Sequence, residues 1–330
     1  MDPTIRLTDV SKSFGDTTAV RDLDLVVPRG SIYGLLGPNG AGKTTTIRII
    51  MDILGPDHGQ VEVFGRRVDD EARTRIGYLP EERGLYQKMS VLDHVVFLGV
   101  LKGMDRAAAR EEGERWLERF DLTDWTGEDV DTLSKGMQQK VQFISTILHD
   151  PDLLILDEPF SGLDPINVDL LKEIVLEKHR RGTTILFSTH QIEDAERLCD
   201  RVCMIAGARK VLDGEVSEVK RSFGGKEVAL RFEGEGGFLE EVPAVRRVVD
   251  HGRYLEVRLN DDADPQELLS RAVDAGVRIQ HFELMDPPLR EIFLEMARQK
   301  GMEEEAEEGG EARPILSGQP ARPAATGGGP

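Results

Sequence analysis

The residues best equipped for chemistry are Gly37-Pro38-Asn39-Gly40-Ala41-Gly42-Lys43-Thr44, followed by Thr45. They fit the spacing G-x-x-x-x-G-K-[ST], with an apolar run before them and a helical pattern after. Glycines let a backbone wrap closely around phosphate, and free N–H groups at a helix N-terminus favour an anion there. Lys43 would set a point charge against the outer phosphates of a nucleotide. Thr44 would offer its hydroxyl to Mg2+. A second constellation is Leu153-Leu154-Ile155-Leu156 running into Asp157-Glu158. Four apolar residues spell a buried strand, and ligands of open α/β sheets sit at the carboxyl ends of strands. Asp157 would hold Mg2+ through water, and Glu158 would polarise an attacking water.

The surrounding pattern supplies the elements that must position these groups. Residues 4–27 alternate as strands around a turn at Gly15-Asp16. Ser31 to Leu36 is an apolar run, Lys43 to Ile53 is helical in pattern, and 59–65 reads as another strand. Residues 84–149 are mostly helical. Beyond Pro151 two apolar runs, at 153–156 and 184–187, flank a helix from Val168 to His179, a βαβ rhythm that implies a parallel sheet. Ser134 is a good N-cap, and Met137, Val141, Ile144 and Leu148 then recur on one helix face. That helix start is a further anion site in waiting.

These segments, in this order, resemble the ABC ATPase family over about residues 4–222. Leu133-Ser134-Lys135-Gly136-Met137-Gln138-Gln139 is similar to its LSGGQ signature, with Lys135 and Met137 in place of a glycine and a glutamine. Ser161-Gly162-Leu163-Asp164 resembles the D-loop, and His190 the switch histidine. Phe14 stands where the family stacks an aromatic on adenine. Glu81 occupies the place of the Q-loop glutamine and would face the Mg2+. The resemblance implies that two chains sandwich two ATP molecules head to tail, with Ser134, Lys135, Gly136, Met137 and Gln138 acting in trans. It also implies catalytic roles for Lys43, Glu158 and His190. Residues 191–201, the stretch from Tyr78 to Tyr86 and the closing 288–295 are similar to the ABC-2-type exporter branch, which moves drugs, sodium or lipids. The implied partners are a second ATPase subunit, identical or related, and a separate ABC-2-type permease. The implied location is peripheral, on the cytoplasmic face of the cell membrane.

A second unit begins near Gly224-Gly225. Strands at 226–233, 245–250, 253–259 and 277–285, with helices at 236–242 and 265–275, give the order β-α-β-β-α-β of a ferredoxin-like α+β domain. The fold class expected is therefore α/β, a P-loop ABC ATPase domain of mixed sheet plus helical subdomain, then this accessory domain over 225–300. A closing helix over 287–300 would bury Leu289, Ile292, Phe293 and Met296. The tail 301–330, with six glutamates and then Pro, Ala and Gly, is expected to be disordered.

The totals narrow the classes. A formal net charge of −19 argues against a phosphate-backbone binder, so no nucleic-acid partner is expected. Two cysteines, Cys199 and Cys203, exclude a disulfide scaffold. No apolar run reaches the ~18 residues of a membrane span. Val91 to Leu101 is short and interrupted by Asp93 and His94. Three readings stay open beside export: import, a soluble ABC protein of translation or DNA repair, and a regulatory subunit that binds ATP without useful turnover. The two soluble types ordinarily show paired ATPase units or long coiled coils, and neither is seen.

Overall fold

A computed structural model describes residues 2–82, 84–224, 227–234, 236–260, 263–296 and 298; the expectation for 301–330 lies outside them. Its central sheet has the strand order β5-β6-β7-β3-β8-β9. These strands are β3 (Ile32–Leu36), β5 (Ile76–Leu79), β6 (Leu153–Asp157), β7 (Thr184–Thr189), β8 (Arg201–Ala206) and β9 (Arg209–Glu215). The first five are mutually parallel and β9 runs antiparallel to β8. Every residue of β3, β6 and β7 is buried, because both faces of a parallel sheet are covered.

Alternate residues of these strands serve two cores. Tyr33, Leu35, Ile155 and Leu186 face a cluster shared with a three-stranded antiparallel sheet. That sheet is formed by β1 (Ile5–Phe14), β2 (Thr17–Val27) and β4 (His58–Val63). Leu36, Leu154, Leu156 and Phe187 face the helices. Three of those pack against one another: α3 (Val91–Leu101), α4 (Arg106–Arg119) and α5 (Lys135–Ile147). Each starts on a side-chain cap, from Ser90, Asp105 and Ser134 respectively. Trp116, Phe120 and Phe143 pack between them at tilted and edge-on angles, with ring centroids 6.4 and 6.1 Å apart.

Several boundaries differ from the sequence pattern. The helix after the phosphate loop, α1 (Lys43–Ile50), stops short of Ile53 because Asp52 turns left-handed at φ 53°. Helix α6 (Pro165–Arg180) begins three residues earlier than its apolar periodicity, on the Asp164 cap and a proline. β5, β8 and β9 are added strands, as are the helices α2 (Asp70–Thr74) and α8 (Val216–Phe223). Helix α7 (Ile192–Leu198) follows β7.

The C-terminal unit is an antiparallel sheet of order β11-β12-β10-β13. Its strands are β10 (Glu227–Glu233), β11 (Val245–Asp250), β12 (Leu255–Leu259) and β13 (Arg278–Met285), with α9 (Pro265–Asp274) before the last. The connection after β10 is a 3-10 helix, Gly236–Glu241, rather than an α-helix. Val228, Leu230, Val257, Leu259 and Leu268 form its own core. A closing helical segment over 289–296 returns to the first domain. There Leu289 and Ile292 are buried in the helix-side core, and the Leu289 N–H donates to Glu196 Oε2 at 3.1 Å.

His94 of α3 is fully buried with neither ring nitrogen bonded. Burial pushes its pKa down from 6.5 to about 4. Between those values the unfolded chain takes up a proton that the folded chain refuses. This contribution to stability is therefore complete above pH 6.5 and is lost as pH falls toward 4. His94→Leu is expected to reduce the loss of unfolding free energy between pH 7 and 5 by about 2 kcal/mol. Denaturant titrations at the two pH values check this, and equal losses in both proteins would refute it.

Candidate nucleotide site

Register brings the sequence motifs together. Leu36 of β3 lies beside Thr189 of β7, Asp157 of β6 beside Ser188, and Leu79 of β5 beside Leu156. The residues that follow these strands therefore emerge on one edge of the sheet. They are the glycine-rich loop, Glu158, His190 and the turn carrying Glu81. A cavity of about 210 Å³ opens there, lined by Ala19, Asn39, Gly40, Gly42, Lys43, Thr44, Thr45, Glu81 and Glu158.

Lys43 is the hub. Its side chain is 6% exposed, and Nζ donates to the Gly37 carbonyl at 2.9 Å and the Pro38 carbonyl at 3.2 Å. Glu158 Oε1 lies 3.5 Å away and completes a buried ion pair. The other oxygen, Oε2, is 3.0 Å from His190 Nδ1. Glu158 reaches both because its backbone is left-handed at φ 50°. A non-glycine residue pays of order 1 kcal/mol for that conformation, and such outliers gather at functional sites. The loop itself requires glycine at two places. A Cβ on Gly37, at φ 154°, would sit 2.3 Å from the Ile205 carbonyl oxygen, and one on Gly42, at φ 105°, 2.1 Å from that of Ala19.

Asp157 is buried beneath this layer. Ser188 Oγ donates to its Oδ1, while the Glu158 N–H donates to Ser188 Oγ at 3.2 Å. Asp157 Oδ2 has no partner. A buried carboxylate oxygen without a donor, one residue before the Glu158 that pairs with Lys43, suits a hard cation. Ser188 was not singled out from sequence. Its signal is a hydroxyl inside an otherwise apolar run, Ile185-Leu186-Phe187-Ser188.

The remaining sequence candidates lie outside the cavity lining. Phe14, at the tip of the β1–β2 hairpin, is 51% exposed and carries Lys12 Nζ 5.7 Å over its ring. Ser134 caps α5, accepting from the Met137 N–H at 3.3 Å, with Lys135, Gly136 and Gln138 on the same first turn. Asp164 caps α6, and the Asn167 N–H holds its carboxyl below the usual range.

A family model described as ABC transporter matches residues 20–161. A second, described as ATP-binding protein DrrA1-3-like, C-terminal domain, matches residues 214–297. YhaQ of Bacillus subtilis (strain 168), an uncharacterized ABC transporter ATP-binding protein, is 46% identical over 87% of this chain and 96% of its own. The chain belongs to the ABC transporter family. The daunorubicin resistance ATP-binding protein DrrA3 of Streptomyces coeruleorubidus is 34% identical over 89% of this chain and 96% of its own. A solved ATP binding subunit of an ABC transporter is 33% identical, with a TM-score of 0.63 over 67% of this chain and 93% of that one. This ABC protein is thus an ATP-binding subunit of the exporter branch that includes DrrA, NatA and the Nod factor export proteins. The bacterial ABC transporter cassette MJ0796, 22% identical with a TM-score of 0.60, is a solved dimer of the same fold. No helix among the described residues is long and apolar enough to cross a membrane.

Ser188→Ala would strip Asp157 of its donor and the Glu158 N–H of one acceptor. It is expected to cost about 1–3 kcal/mol of stability, read by denaturant unfolding. An unchanged midpoint would show that the hydroxyl carries no such load.

Proposed function

We propose that the chain is a Mg2+-dependent ATPase whose site is completed by a second copy or a related subunit. In this reading it drives a separate ABC-2-type permease from the cytoplasmic face of the membrane. The observation that carries it is the Lys43–Glu158–His190 chain, at 3.5 and 3.0 Å, on the same sheet edge as the glycine-rich loop.

The main-chain N–H groups of Gly37, Asn39, Gly40, Ala41, Gly42, Thr44 and Thr45 cradle the phosphates, Pro38 shapes the loop without an N–H to donate, and Phe14 packs against the adenine. Lys43 exchanges Glu158 for phosphate oxygens as its anionic partner. That frees Glu158 to accept a hydrogen bond from the attacking water, while His190 bridges Glu158 and the γ-phosphate. Catalysis is positioning plus charge stabilisation, as is general for phosphoryl transfer. Thr44, Asp157 and Glu81 would hold the Mg2+, which neutralises charge building up on the β- and γ-phosphates. Among the described residues no three His, Cys, Asp or Glu converge into a metal cage. Magnesium bound by one or two carboxylates plus phosphates needs none.

Ser134, Lys135, Gly136, Met137 and Gln138 stand outside the cavity of their own chain, which supports their acting on nucleotide held by the partner. Asp164 would lie at the same dimer seam. The loop at Glu81 and the helical subdomain, where Tyr86 and Phe97 are exposed, would receive a helix of the permease. The order β11-β12-β10-β13 supports a ferredoxin-like accessory domain over 225–300, after an ATPase domain over 4–222. The exported substance would be a drug, a sodium ion or a lipid, and nucleic acid is not a partner.

Glu158→Gln keeps the shape and removes the base. It is expected to bind ATP and lose on the order of 10²–10⁴ in turnover, about 3–5 kcal/mol of barrier. A phosphate-release assay on the full-length chain measures this, and wild-type turnover would remove Glu158 from the role of base.

A further inference from the structure

Helix α5 has a second set of contacts, five and eight residues beyond its Ser134 cap. Gln139 and Gln142 lie three apart, on neighbouring positions of one helix face, and each is 8% exposed. Gln142 Nε2 donates to two carbonyls, those of Pro80 at 3.3 Å and Glu82 at 3.2 Å, and so straddles residue 81. Gln139 Nε2 donates to the Pro159 carbonyl at 2.9 Å, on the residue that follows Glu158. Each amide therefore grips the main chain beside one of the two acids that line the cavity. An ion pair to this turn, Arg48 to Glu82 at 3.7 Å, is solvent-exposed and holds it weakly.

We infer that Gln139 and Gln142 are positioning residues that link the N-terminus of α5 to Glu158 and Glu81 of the same chain. This rests on the reading above, in which Ser134 meets a phosphate held by the partner. A helix transmits displacement as a rod. From Ser134 to Gln142 it runs about 12 Å, at about 1.5 Å per residue. Carbonyls held by buried amide donors must follow a shift of that rod or lose their bonds, and an unsatisfied buried group is costly. Engagement of one nucleotide thus sets the acids around the other, and the two sites of the dimer become coupled.

Gln142→Met keeps length, volume and helix propensity but has no donor. The full-length chain, with Mg2+ and ATP, is assayed for kcat and for the Hill coefficient of turnover against ATP. Affinity is read with a fluorescent N-methylanthraniloyl ATP, and folding by thermal unfolding. The expected result is a fall in kcat of roughly 5–20-fold, with the Hill coefficient moving toward about 1. Analogue affinity should stay within about twofold, with thermal unfolding lowered only by the modest cost of the two lost amide hydrogen bonds. Gln139→Met should act in the same direction. An unmoved Hill coefficient overturns the inference, whether or not kcat falls. Joint loss of affinity, turnover and thermal stability also overturns it, because that marks packing alone. Glu158→Gln is run alongside: if it is active, the site reading itself fails, whereas an inactive Glu158→Gln beside a wild-type-like Gln142→Met faults only this inference.

Discussion

A desolvated ammonium must have oxygen around it, and that requirement at Lys43 organises the chain. Leaving such a charge unpaired in the interior costs several kcal/mol. Two carbonyls of its own loop and the carboxylate of Glu158 surround it. The loop can close on Lys43 only with glycine at positions 37 and 42, where neighbouring carbonyls leave no room for a Cβ. Glu158 can face it only through a left-handed turn at the end of β6. His190 then takes the second carboxylate oxygen. Three strands, 32–36, 153–157 and 184–189, are held in a register that delivers all of these within one layer.

Much of this was legible in sequence because each motif is short, contiguous and set next to a strand that is buried on both faces. The runs before Gly37, Asp157 and His190 are predominantly apolar, so their strand character showed without neighbours. The links between motifs were not legible. Ser188 matters because it lies across from Asp157, and Gln142 because α5 passes under Pro80 and Glu82. Both relations belong to tertiary register, which one-dimensional spacing does not carry. β5 carries no sequence signal for a related reason: four residues, Ile76-Gly77-Tyr78-Leu79, form a strand only because β6 pairs with them. The early end of α1 is a backbone event at Asp52, whereas apolar periodicity continues into Ile53.

The accessory sheet has a core of its own, yet it is not hung on a free linker. After β13 the chain returns, and Leu289 and Ile292 fill the helix-side core while Glu196 of α7 accepts from the Leu289 backbone. Helix α7 begins two residues after His190. The C-terminal unit is thereby mechanically close to the element that follows the histidine, and it falls within the segment matched by the DrrA1-3-like C-terminal family model.

Turnover in the proposed mechanism requires nucleotide to be closed between two subunits, with α5 of one facing the phosphate loop of the other. Sedimentation of the full-length Glu158→Gln chain with and without MgATP tests it most directly, beside double variants that add Ser134→Arg or Lys43→Ala. The account predicts an ATP-dependent shift from monomer to dimer that either addition abolishes, with Ser134→Arg leaving nucleotide binding to the monomer intact. A chain that stays monomeric with MgATP, or that pairs regardless of Ser134 and Lys43, would contradict it.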